Sequence, residues 1–94
     1  MAFKVGTLTL SGTGANRLTT THTPVRQIQF FNVTGNGTLL VGDKNLSATV
    51  YGMSVAAATV SPLVGPFAGE LPINLEDFYL QGSDTNVIRY WYVT

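Results

Sequence analysis

Ninety-four residues without a cysteine allow one domain held by packing and sheet pairing, and they exclude a disulfide framework or a thiolate metal site. Only 11% of residues are charged and 45% are hydrophobic, with a formal net charge of zero; ordinary soluble domains carry about 25% charged residues. A good part of this surface is therefore expected to be covered by other protein. The five basic residues, Lys4, Arg17, Arg26, Lys44 and Arg89, are scattered; without clustered cations nucleic-acid binding is not expected.

In chain order, residues 3–10 (FKVGTLTL) alternate in part and predict a first strand. Residues 11–16 are a turn cluster, and the Thr-rich 17–23 ends at Pro24, which suits an edge strand or extended linker. Residues 25–45 predict one β-hairpin: a strand through Val33, a two-residue type I′ turn at Asn36 and Gly37, and a return strand ending at Val41, Gly42 and Asp43. On the outgoing strand Ile28 and Phe30 face one side, and Phe31 and Val33 the other with Gln27 and Gln29. Both faces thus carry bulky apolar groups, and the second is expected to meet a partner.

Residues 45–50 predict a turn leading to a short strand around 48–51. Residues 53–69 (MSVAAATVSPLVGPFAG) are apolar, poor in charge and broken by Pro and Gly. They lack an apolar stripe of helical spacing and read as a long loop or extended arm. Residues 70–75 place Leu71, Ile73 and Leu75 on one face of a strand with Pro72 outward. Glu76 and Asp77 form a turn, 78–80 a strand, and 82–84 a further turn. The final strand, 86–94, sets Ile88, Tyr90 and Tyr92 against Val87, Arg89, Trp91 and Val93. The expectation is an all-β chain: a single small β-sandwich or jelly roll of about seven or eight short antiparallel strands spanning 1–94, with an apolar arm at 53–69. The longest apolar stretch, 55–68, is interrupted by Ser61, Pro62, Gly65 and Pro66 and is shorter than the about 20 residues of a spanning helix. Residues 1–10 have no continuous apolar run, so neither a leader nor membrane insertion is expected.

Motifs of chemistry all lack a partner group. His22 is the only histidine, without a carboxylate at useful local spacing. Asp43, Asn45 and Ser47 mimic the start of a calcium loop, but its sixth position is Ala48 and its twelfth Ser54. The glycine pairs Gly12/Gly14 and Gly35/Gly37 lack a third glycine and a following helix. Residues 52–56 (GMSVA) lack the histidine and acid that must follow a nucleophile elbow. Glu76 and Asp77 are adjacent, which separates their directions on a strand. No enzyme activity, cofactor or metal is expected. Asn32, Asn36 and Asn45 open N-x-[ST] triplets that read as turn and strand-end residues. Tyr90 and Tyr92 share a face and offer one alternative, a sugar platform; core and interface packing is the commoner work of such aromatics.

Taken together, several features form a pattern: the Thr-rich stretch before the 25–32 strand, Val41-Gly42-Asp43 followed by Asn45 and Ser47, Gly52, the acidic–aromatic turn 75–82, and the Val/Tyr-rich ending 87–93. This pattern resembles that of small virion proteins of tailed bacteriophages. The resemblance implies a β-sandwich or jelly roll without catalytic residues that decorates or cements a capsid, often as a trimer. It further implies major capsid protein or other virion subunits as partners and the virion as location. Similar modules in tails and fibres make a carbohydrate-binding module or a tail or neck subunit the alternative. On composition, the expected protein–protein interface comprises Phe31, Val33, Leu63, Val64 and Phe67.

Overall fold

A computed structural model describes residues 2–33, 35–66 and 73–94. The chain is all-β, and two four-stranded antiparallel sheets enclose one core. In chain order the strands are β1 (Phe3–Thr9), β2 (Asn16–Arg17), β3 (Pro24–Val25), β4 (Gln27–Asn32), β5 (Leu39–Gly42), β6 (Met53–Val55), β7 (Thr59–Val60), β8 (Ile73–Asn74), β9 (Tyr79–Gln81) and β10 (Val87–Val93). The first sheet runs β1-β10-β4-β7 and the second β2-β9-β5-β6, while β3 and β8 form a small ribbon. A 3-10 turn, Leu75–Asp77, precedes β9. The ten strands among the described residues exceed the expected seven or eight because several are only two residues long, too short to show a period in sequence.

Alternation sorts the side chains. From the first sheet Ile28, Phe30 and Ile88 point inward; from the second Leu39, Val41, Val55 and Leu80 meet them, with Leu10, Leu18, Val25 and Leu75 closing the ends. Tyr90 and Tyr92 pack against this cluster from the side of β10. Their rings stack at 6.0 Å, and Tyr90 also meets Phe30 at 6.3 Å.

The expected 25–45 hairpin does not form. β4 and β5 lie in different sheets, because both edges of β4 are taken: β10 pairs along one side, and β7 with Val64 along the other. Gly35, not Asn36 or Gly37, carries the positive φ (92°). The link between β4 and β5 is an arch from sheet to sheet, clasped by two asparagines. Buried Asn32 donates through Nδ2 to the carbonyls of Gly37 (2.8 Å) and Val55 (2.9 Å), and its Oδ1 accepts from Asn36 Nδ2 (3.0 Å). Asn36 Nδ2 also reaches the carbonyl of Val87 (2.8 Å), on the edge of β10 that β4 leaves unpaired beyond Asn32.

The expected strand at 48–51 is absent as well; 48–50 is an exposed bend, with Ser47 Oγ accepting from the Val50 amide. The 53–69 segment is not a loop or arm over its described part. β6 pairs with β5 in the second sheet, β7 crosses to pair with β4 in the first, and Val64 exchanges backbone bonds with Ile28 (2.9 and 3.0 Å). Between them Ser61 is buried, its Oγ accepting the Phe30 amide (2.9 Å) and donating to the Pro62 carbonyl (2.9 Å). The crossing from one sheet to the other is made by Ala56, Ala57 and Ala58, the last with a positive φ (62°), whereas Pro62, Gly65 and Pro66, which suggested a loop, follow β7. Phe67, Leu71 and Pro72 lie outside the described residues.

Candidate interaction surface

The outer face of the first sheet is where an unusual set of side chains collects. Register puts Phe3 beside Val93, Val5 beside Trp91, Arg89 between Thr7 and Phe31, and Phe31 beside Val60. Phe3, Val5 and Val60 are 67%, 72% and 59% exposed, values at which most of an apolar side chain contacts water. Phe3 and Trp91 hold their rings 5.6 Å apart. Trp91 Nε1 donates to Gln29 Oε1 (3.1 Å), and Gln29 Nε2 donates to the Ser61 carbonyl (2.8 Å), so the indole is held in place by a chain running back to the buried serine. An open groove of about 460 Å³ runs over this face, lined by Val5, Gly6, Thr7, Phe31, Arg89, Tyr90 and Trp91. Arg89 supplies the only charged side chain among those lining residues.

Of the residues expected at an interface, Phe31 lies in this groove and Val33 is half-buried just beyond β4. Leu63 is 45% exposed next to Val64, but Val64 packs on the inward cluster and does not share the outer face. Phe67 lies outside the described residues. Sequence reading missed Phe3, Val5 and Val60. The signal was present in β1, whose odd residues Phe3 and Val5 alternate with Lys4 and Gly6, but it points the wrong way. The even positions Gly6 and Leu8 are turned inward, because Gly6 makes room for the Tyr90 ring, while Lys4 near the strand's start stays exposed.

The remaining sequence candidates resolve into local structure. His22 Nδ1 lies 2.7 Å from Glu76 Oε1, and Arg17 holds the same carboxylate at 3.6 Å while its Nε donates to the Glu76 carbonyl (2.9 Å). The carboxylate partner of His22 was invisible locally because it comes from 54 residues away. This exposed cluster ties β2 to the 3-10 turn and, at such exposure, contributes little to stability. Asp43 Oδ1 accepts the Asn45 amide (2.9 Å), an Asx turn in place of a calcium loop. Among the described residues no group of three metal-ligating side chains gathers. Tyr90 and Tyr92 stack on each other and pack against the core. Burial, and then the neighbouring Tyr92, push the Tyr90 phenol above its ordinary 10.0.

Comparisons of the chain with family models, with curated proteins and with solved structures find no match.

Proposed function

We propose that the chain is a non-enzymatic structural protein of the capsid-decorating or cementing kind that its sequence pattern resembles, working by burying surface against shell subunits and its own copies. The observation that carries this reading is the exposed apolar outer face of the first sheet, built from Phe3, Val5, Phe31, Val60 and Trp91 in a chain of zero net charge. Isolated exposed apolar residues are ordinary, but a contiguous sheet face of them marks an interaction site. Holding a shell together requires buried area with an apolar centre and polar rim, not reaction chemistry. The alternative of a sugar-binding module in a tail or fibre is less favoured, because Tyr90 and Tyr92 pack against the core.

Co-sedimentation with shells assembled from the major capsid protein of the phage that encodes the chain tests the proposal. Binding is expected, with the emission of the single tryptophan, Trp91, shifting to the blue as the face is covered. Val60→Asp, on the same face and paired with Phe31 and not with Arg89, is expected to weaken binding at least about tenfold, the cost of burying an unpaired charge. Absence of binding by the natural chain, or equal binding by the variant, overturns the reading.

A further inference from the structure

The first sheet ends on one side in β1, a seven-residue strand that among the described residues pairs only with β10. The direction of its backbone groups is fixed by two flanking bonds. The Thr94 amide donates to the Ala2 carbonyl (3.0 Å), and the Leu10 amide donates to the Asn86 carbonyl (2.8 Å). In an antiparallel ladder such pairs alternate, so the even residues of β1 bond to β10 and the odd ones aim their N–H and C=O groups away from it. Phe3, Val5, Thr7 and Thr9 therefore present a row of unpaired donors and acceptors along an open edge, and their side chains stand on the apolar outer face. The other edges are short: β7 and β2 have two residues each, β6 has three, and Pro62 follows close after β7. Short edges, proline and charge are how sheets avoid further pairing; β1 is neither short nor broken by proline, and Lys4 is its one charge.

We propose that β1 pairs antiparallel with β1 of a second copy of the chain, joining two first sheets into one continuous eight-stranded sheet about a two-fold axis at Gly6. The second copy is the occupant that the edge itself describes. With Gly6 opposite Gly6, Val5 meets Thr7 and Phe3 meets Thr9 of the other copy, so every outward amide and carbonyl from Phe3 to Thr9 is paired. Outer faces coincide, because odd residues meet odd residues, and the Phe3, Val5 and Trp91 patches of both copies merge into one surface. Lys4 falls opposite Leu8 and not opposite Lys4, which avoids like-charge contact, and a net charge of zero imposes no repulsion between copies. The contact is isologous and closes at two copies, in place of the three-fold association that the family resemblance implies. The inference rests only on the part of the proposed function that has the chain associate with itself, and it is independent of what the merged face binds.

Sedimentation equilibrium of the full chain tests it without a shell. The natural chain is expected at twice its 10.1 kDa mass. Thr7→Pro removes an outward amide that β1–β10 pairing does not use, a placement edge strands tolerate, and is expected to raise the dimer dissociation constant at least about tenfold with the circular dichroism of the fold retained. Val5→Lys keeps every backbone group and is expected to weaken the dimer similarly; it decides the matter if the proline variant does not fold. In a chain free of natural cysteine, Lys4→Cys with Leu8→Cys is expected to give a covalent dimer on oxidation, and Lys4→Cys alone is not. A natural chain that stays monomeric, an assembly unaffected by Val5→Lys, or cross-linking by Lys4→Cys alone overturns the proposal. Shell binding is measured separately, so a monomer that still binds shells removes this inference and leaves the proposed function standing.

Discussion

Gly6 lies against the ring of Tyr90: a Cβ at residue 6 would sit 2.5 Å from the phenol oxygen and press on the ring carbons beside it. The two residues face each other across β1 and β10, and the ring fills the space that any larger side chain at position 6 would claim. Gly6→Ala must therefore push Tyr90 off its contacts with Phe30 and Tyr92. We expect a loss of about 1–3 kcal/mol, typical of overpacking, in urea unfolding. With Tyr90→Leu in the background the same change is expected to cost little, since the coupling between contacting sites disappears with the ring. Equal costs in both backgrounds would show that the backbone at Gly6, and not the ring, sets the requirement.

The Asn32–Asn36 clasp gives a second expectation. Asn32→Ala leaves the Gly37 and Val55 carbonyls without their donor, and Val55 is itself buried. A cost of about 1–3 kcal/mol for each group that stays dry is expected. Asn36→Ala, in a half-buried position where water can replace the amide, is expected to cost less. Calorimetric melting of the two variants checks the order, and a larger loss for Asn36→Ala would contradict it.

Tyr90 ties stability to alkaline pH. Its phenol ionises less readily in the folded chain than in the unfolded one, where the ordinary value is 10.0. The folded state therefore holds its proton more tightly, and the contribution of the neutral phenol is complete below pH 10.0 and is lost as pH rises through the higher folded value. Melting temperature is expected to be insensitive to this group between neutrality and that point and to fall above it. Tyr90→Phe is expected to make that fall shallower. An unchanged alkaline slope would mean that other groups govern it.

The all-β class, the last strand and the inward roles of Ile28, Phe30 and Ile88 were legible because alternation with β-branched and aromatic residues carries them. The hairpin was not, although Asn36 and Gly37 between two strands are a strong local sign. That sign assumes β4 has a free edge, whereas long-range pairing with β10 and Val64 had already filled both. A buried asparagine two residues beyond Phe30, on the same inward face, is the clue in the sequence that the turn served another purpose. The interaction surface was half legible. Phe31 could be found from the doubly apolar β4, but Phe3 and Val5 alternate with an exposed lysine and a glycine, and no single-strand pattern reveals a tyrosine waiting opposite that glycine.

The order of the first sheet, β1-β10-β4-β7, also bears on how the chain is made. β1 and β4 do not pair with each other; both pair with β10, which follows all the other described strands in the chain. Until those residues emerge, Phe3, Val5, Ile28 and Phe30 have no strand between them, and among the described strands β5 and β6 are the only sequence neighbours that pair. Pairing this remote in sequence slows folding and prolongs exposure of apolar segments. A nascent chain from which β10 has not yet emerged therefore holds β1 and β4 without the strand that joins them.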